Sequence, residues 1–192
     1  MNLALYGGTF DPVHLGHLIL ARDALEQLAL DRVIFIPAAL SPHKPASMPA
    51  PDALRRDMLA AALADEPGFE LDDSELHAAG PSFSIDTVER IHAQHPGARL
   101  HYLIGADNLR ELHTWRRIDD LRGLVEFVVF GRGEIPPANA DAFRTLPRRI
   151  DISATEIRQR VARGESIRYL VPEPVRSIIT AHHLYQDPPH QS

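Results

Sequence analysis

Residues 3–36 constrain the fold more than any other part of this 192-residue chain. Leu3-Ala4-Leu5-Tyr6 is a short apolar run cut off by Gly7-Gly8, the pattern of a buried strand entering a tight turn. From Gly16 to Leu30 the apolar residues Leu18, Ile19, Ala21, Leu25, Leu28 and Ala29 recur at helical spacing. Val33-Ile34-Phe35-Ile36 follows, β-branched and aromatic, and Pro37 stops it. Strand, glycine turn, helix and strand make a βαβ unit.

The alternation continues through a Pro-rich loop at 37–51, a helix over about Asp52 to Ala64 and a short strand at Phe69 to Leu71. A helix is predicted over Ser84 to Gln94, strands at Leu100 to Ile104 and Glu126 to Phe130, and a short strand before Ile152. Ser153 to Arg163 has a serine suited to an N-cap and Gly164 suited to the residue past the end, and a last helix begins near Pro172. The expected fold is therefore α/β: a single doubly wound, mostly parallel sheet, Rossmann-like, with a helical C-terminal region. One domain is expected over 1–186, with a disordered tail at 187–192. In such folds the ligand occupies the crevice at the carboxyl ends of the strands.

Composition narrows the function. Twenty Lys+Arg stand against 26 Asp+Glu, a formal charge of −6, which argues against a chain that grips nucleic-acid backbone. There is no cysteine, so disulfides, thiolate metal sites and thiol nucleophiles are excluded. The start MNLALYGGTFDPVH carries no signal-peptide pattern, and no window has the run of apolar residues a membrane helix needs. A cytoplasmic location without membrane contact is expected.

Four unusual segments fall just after predicted strands: Gly7–His17, Ser41–Lys44, Gly105–Trp115 and Ile152–Arg158. In the first, glycines let backbone approach a ligand, and the following helix start offers unpaired N–H groups and a positive dipole end suited to phosphate. The segment is neither a Walker loop nor a GxGxxG fingerprint. It carries His14 and His17 with Gly16 between them, a pair that can donate hydrogen bonds, or charge when protonated, to a phosphate at the helix start. Two histidines in a plain turn fit the same residues. So does a zinc site, although a third ligand at suitable spacing is missing. Ser153, Thr155 and Arg158 can grip an anion at a second helix start, or form a capped helix with an exposed arginine. Trp115, the chain's one tryptophan, sits in a polar context where core, rim and ligand stacking are all open. Asp107, just past a strand, suits either a ribose diol or a simple turn.

GGTFDPVHLGH resembles the (H/T)xGH signature of the nucleotidyltransferase superfamily, and its eleven-residue form is similar to that of bacterial nicotinate-nucleotide adenylyltransferases. Pro42-His43-Lys44, Pro81-Ser82-Phe83-Ser84, Gly105-Ala106-Asp107-Asn108 with Trp115, Ile152-Ser153-Ala154-Thr155-Glu156-Ile157-Arg158 and Leu170-Val171-Pro172-Glu173-Pro174-Val175 resemble that family's further motifs in the same order. The resemblance spans nearly the whole chain. It implies transfer of AMP from ATP to nicotinate mononucleotide, giving deamido-NAD and pyrophosphate, by in-line attack on the α-phosphate without a covalent intermediate. Such chemistry needs positioning and charge neutralisation.

By the same resemblance His14, His17, Lys44 and Arg158 are catalytic. Gly7, Gly8, Thr9, Phe10, Gly16, His17, Gly105, Asp107, Ile152, Ser153, Thr155 and Arg158 bind ATP. Lys44, Ser82, Phe83, Ser84, Trp115, Arg116 and Arg132 bind the mononucleotide. Trp115 matches a tryptophan that stacks on the pyridine ring, and the segments at Ser84 and Arg116 match those whose backbone amides meet the nicotinate carboxylate. No residue set is assigned to a protein-held metal; Mg²⁺ is expected to arrive on ATP, because no carboxylate cage is evident. Phe83 stands where tyrosine is common, and Gly131-Arg132-Gly133 where Arg-Pro-Gly is common. Lys44 is the only lysine among 20 cations and, as a compact charge, suits phosphate, although a solvated loop lysine has the same sequence. Pantetheine-phosphate adenylyltransferases and cytidylyltransferases share the HxGH loop, but the Trp115 and Ser82–Ser84 segments favour a flat aromatic acid. Preference for the amide mononucleotide and a non-catalytic nucleotide sensor are the remaining rivals. The sequence leaves oligomeric state open.

Overall fold

The computed structural model describes residues 1–39, 49–78, 80, 82–131 and 143–186, with Asp107 described for its backbone alone. The expectations for Lys44, Arg132 and the 187–192 tail lie outside the described residues. Six strands form one sheet: β1 (Asn2–Gly8), β2 (Arg32–Pro37), β3 (Phe69–Leu71), β4 (Arg99–Gly105), β5 (Val125–Phe130) and β6 (Arg144–Leu146). Their spatial order is β3-β2-β1-β4-β5-β6, and every pairing is parallel. This is the doubly wound order, which reverses direction between β1 and β4 and opens a crevice there.

Seven α-helices are described: α1 (Leu15–Gln27), α2 (Asp52–Leu63), α3 (Ser84–Gln94), α4 (Ala106–Leu109), α5 (Ile118–Leu124), α6 (Ala154–Ala162) and α7 (Glu173–Ala181). Both faces of the sheet are covered, so its central strands carry consecutive apolar residues, such as Leu3–Tyr6, Val33–Ile36 and Phe127–Phe130. In β1, Ala4 and Tyr6 pack with residues of α1, α2, α6 and α7, while Leu3 and Leu5 pack with residues of α3 and α5. β2 alternates likewise, with Val33 and Phe35 on the first face and Ile34 and Ile36 on the second. That alternation explains the unbroken apolar runs. Each such buried side chain is worth about 1.5–3 kcal/mol of removal from water.

The predicted strands and helices are present, with differences that have local causes. α1 ends at Gln27, three residues short of the expected Leu30, because the chain turns back at Ala29, whose φ is 49°. The strand expected before Ile152 is β6, six residues or more upstream, and an extended stretch follows it. Arg148 in that stretch forms a two-pronged ion pair with buried Asp23 of α1, which fixes the stretch against the helix. α4 and α5, four and seven residues long, are too short to show a helical period. Among the described residues no helix is long and apolar enough to cross a membrane.

Candidate active site

β1 carries its alternation into Gly7 and Gly8, and both glycines are required by close neighbours. A Cβ on Gly7 would lie 2.6 Å from the Tyr102 hydroxyl, and one on Gly8 would lie 3.1 Å from the Phe10 ring. Phe10 adopts φ 48° and turns its ring into the core against Tyr6 and Phe35. The expected nucleotide contact at Phe10 is thus open to its backbone, since the ring faces inward.

His14 is the N-cap of α1, and the His14 and His17 rings stack with centroids 3.6 Å apart. Gly16 makes room for this pair: a Cβ there would meet His14 Nδ1 at 3.0 Å. The His14 backbone N–H donates to His17 Nδ1 at 3.2 Å. This bond makes Nδ1 the acceptor and leaves the ring hydrogen on Nε2. The Phe10 ring meets His17 edge-on at 5.1 Å and limits its rotation. His14 is 3% exposed and set into the turn.

The turn is anchored from four directions. Arg55 of α2, fully buried, donates to Thr9 O at 2.6 Å and Ala50 O at 3.2 Å and pairs with Asp52. Ala50 N–H donates to Asp11 Oδ1 at 3.1 Å, and the Tyr185 hydroxyl donates to the same oxygen at 2.6 Å. Arg158 of α6 donates to Asp11 O at 2.7 Å and to Thr155 Oγ1 at 3.4 Å. Burial and the Asp11 carboxylate together push the Tyr185 phenol well above its ordinary range, which keeps it a donor. Ser153 caps α6 as expected, its Oγ accepting from Glu156 N–H at 3.1 Å.

The crevice itself is a cleft of about 600 Å³. Gly7, Gly8, Thr9, His14, Gly16 and His17 line it from β1 and the start of α1, Ser82, Phe83, Ser84, Trp115 and Arg116 line it from the start of α3 and the segment before α5, and Gly105 and Ile152 are also in its lining. Ser153, Thr155 and Arg158 are not in its lining; Arg158 is fastened to the β1–α1 turn through its bond to Asp11 O. Trp115 meets Tyr102 edge-to-face at 5.7 Å and Phe127 at 6.2 Å, so one edge of the indole is packed while the residue also lines the cleft. The Arg116 guanidinium lies 4.6 Å above the Phe83 ring, with Asp86 at 4.0 Å. The tyrosine hydroxyl absent at Phe83 leaves a ring face that Arg116 covers.

Sequence reasoning passed over several residues here. Tyr102, in mid-strand, lines the cleft and donates to Ser84 Oγ at 3.0 Å; burial pushes its phenol up to about 12. Glu75 also lines the cleft and accepts from Thr87 Oγ1 at 2.5 Å. Burial raises its carboxyl above the usual range, partly offset by the Thr87 and Ser82 hydroxyls. Neither had a signal beyond its residue type. Asp11 was legible as a turn residue only. Among the described residues no group of three or more His, Cys, Asp or Glu side chains is arranged to hold a metal ion.

The parallel sheet, the histidine-bearing β1–α1 turn and the helix-start cluster at α6 define a nucleotidyltransferase-type α/β protein, and the cytidylyltransferase-like family model matches residues 5–160. A probable nicotinate-nucleotide adenylyltransferase of Trichlorobacter lovleyi is 39% identical, over 97% of this chain and all of its own length. One of Exiguobacterium sibiricum is 42% identical, over 96% of this chain and 99% of its own. The chain belongs to the nicotinate-nucleotide adenylyltransferase family. In fold it is similar to Plasmodium falciparum nicotinic acid mononucleotide adenylyltransferase complexed with NaAD, with a TM-score of 0.79, 18% identity and 96% and 97% of the two chains covered.

Proposed function

We propose that the chain transfers AMP from ATP to nicotinate mononucleotide in NAD biosynthesis, releasing pyrophosphate. The observation that carries this reading is that one continuous cleft joins the His14–His17 turn to the Trp115–Ser84 end. A dinucleotide product needs such a shape, with phosphates at one end and a flat ring at the other.

An oxygen of the mononucleotide 5′-phosphate attacks the α-phosphorus of ATP in line. A P–O bond forms, the bond to pyrophosphate breaks, and the bond electrons leave with pyrophosphate. The nucleophile is already an anion, so no general base is needed. What the residues must supply is alignment and neutralisation of charge. His17 Nε2–H donates to the α-phosphate oxygens as charge grows on them, and His14 holds His17 in place and supports the same oxygens. The backbone of Gly7, Gly8, Thr9, Phe10 and Gly16 approaches the nucleotide. Gly105 and Asp107 are assigned to binding the adenosine ribose. Ile152, Ser153, Thr155 and Arg158 take the pyrophosphate, with the α6 N-terminus contributing its dipole. Lys44 and Arg132 contribute positive charge. A divalent cation carried with ATP, Mg²⁺ on this reading, would supply further neutralisation of phosphate charge, and no residue of the chain is assigned to hold it.

Trp115 stacks on the pyridine ring. Ser82, Phe83 and Ser84 meet its carboxylate at the start of α3, where the first N–H groups of the helix have no helix carbonyl to bond. Arg116 adds a cation at that end. ATP and nicotinate mononucleotide are the partners on this reading, with no nucleic acid, in a cytoplasmic single-domain enzyme. The test is a product assay with ATP, Mg²⁺ and each mononucleotide in turn. Pyrophosphate and deamido-NAD formed faster from the acid are the expected result. Equal rates or a faster amide reaction overturn the substrate assignment, and no pyrophosphate from either overturns the enzyme reading.

A further inference from the structure

We infer that Tyr102 is a specificity-determining positioning residue, which commits the Ser84 hydroxyl to act as a donor toward the pyridine substituent. The inference rests on the cleft's Trp115–Ser84 end being the pyridine site.

Tyr102 lies on β4 with 6% of its surface exposed, and its hydroxyl reaches the junction of β1, β4 and α3. The bare backbone of Gly7 makes that position possible, since a Cβ there would collide with the oxygen. Between a phenol and an aliphatic alcohol, the phenol is the stronger acid and donates; at 3.0 Å the Tyr102 hydrogen goes to Ser84 Oγ. Its elevated pKa keeps that hydrogen in place at every physiological pH. Ser84 Oγ has one hydrogen and two lone pairs, and Tyr102 occupies a lone pair. The Ser84 hydrogen is thereby turned away from Tyr102, and Ser84 lines the cleft. Together with the first N–H groups of α3, the Ser84 hydroxyl sets donors at this point of the wall. A carboxylate accepts at both oxygens. A carboxamide of the same shape brings an NH₂ group to these donors, and such a mismatch inside a buried site is what discriminates near-isosteres.

The same tyrosine also supports the Trp115 edge, so its removal has two separable consequences. Loss of support affects any pyridine ring equally, whereas loss of the hydrogen bond affects the acid more than the amide. The experiment is steady-state kinetics of the wild type, Tyr102→Phe, Ser84→Ala and the double variant with both mononucleotides. Phenylalanine keeps the ring. Tyr102→Phe is expected to raise KM for the acid mononucleotide roughly three- to tenfold, the range of one net hydrogen bond, and to shrink the acid-to-amide ratio of kcat/KM by a similar factor. Most of the loss falls in KM. In a Ser84→Ala background the tyrosine substitution should leave the ratio where Ser84→Ala set it. An unchanged ratio in Tyr102→Phe, a parallel rise in both KM values, or full additivity in the double variant overturns the inference. A wild type with no acid preference overturns the reading of the site beneath it and needs no variant to detect. Should Tyr102→Phe fail to fold, Ser84→Ala alone decides, because an undiminished ratio there also refutes the donor.

Discussion

The two faces of the sheet meet at one crevice but build their ends of it from different materials. On the α1/α6 side the Gly7–His17 turn is held by directional bonds to Arg55, Ala50, Arg158 and Tyr185, which reach it from α2, its leading turn, α6 and the segment after α7. On the α3/α5 side the wall is aromatic: Trp115 packs edge-to-face on Tyr102 and Phe127, whose own rings meet at a tilt, and Arg116 covers Phe83. The contrast follows from what each side has to meet. Phosphates demand donors fixed to within fractions of an ångström, and backbone turns provide these only when their own carbonyls are tied down. A flat ring asks for area and one polar edge. On the proposed reading, substitutions on the first side therefore act on turnover, and those on the second act on affinity for the mononucleotide.

The hardest test of that division is His17→Ala. Removing one donor aimed at developing phosphate charge lowers rate by roughly 10²–10³-fold, by analogy with the loss of an oxyanion donor. The loss should appear in kcat, with ATP binding measured by calorimetry changed little. A fall confined to KM would erase the distinction between the two sides. Next in size is Trp115→Ala, which deletes the stacking surface and one edge of the Tyr102 packing. Aromatic contact of this kind is worth about 0.5–1.5 kcal/mol beyond area burial, or roughly two- to tenfold in KM. The rise is expected for the mononucleotide with KM for ATP held. Equal rises for both substrates would show that the aromatic wall also shapes the phosphate side.

How far the sequence disclosed this arrangement differs between the same two sides. The strands were legible because β1, β2, β4 and β5 are apolar at consecutive positions, and the HxGH turn because its histidines and glycine are adjacent in sequence. The N-cap at Ser153 was also local, and the structure agrees with it. What escaped was long-range. Arg55 lies 46 residues from Thr9, Tyr185 lies 174 from Asp11, and Tyr102 lies 18 from Ser84. Nothing in the neighbourhood of these residues distinguishes them from a surface arginine, a frayed helix end or one more core aromatic. The 3D fold alone brings them to the site. α5 was missed for a different reason: its first residue is preceded by Arg117 at φ 52°, held there by Glu89 and Asp120, a tertiary arrangement with no local helical signal.

Tyr185 supplies the finest test, because it acts on the phosphate side without touching the cleft. Two residues near it, His183 at φ 50° and Tyr185 itself at φ 61°, hold left-handed backbone conformations that cost energy in non-glycine residues. That cost is accepted where the chain leaves α7, and its result is the 2.6 Å bond to Asp11. Asp11 in turn receives Ala50 N–H on its carboxylate and Arg158 on its carbonyl, so the tyrosine restrains the residue to which Arg158 is fastened. Tyr185→Phe removes one hydrogen bond to a carboxylate that stays buried. Stability is expected to fall by about 1.5–3 kcal/mol, the range for bonds to charged groups, seen as a lower Tm. Turnover should fall by only a few fold, roughly threefold, because Arg55, Ala50 and Arg158 still hold the turn. KM for the mononucleotide should stay at the wild-type value. If turnover is untouched while Tm drops, the Tyr185 bond is a fastening of the C-terminal segment and the rigidity of the phosphate side comes from Arg55, Ala50 and Arg158 without it. If the mononucleotide KM moves as well, the two ends of the cleft are mechanically one, and the division between them fails.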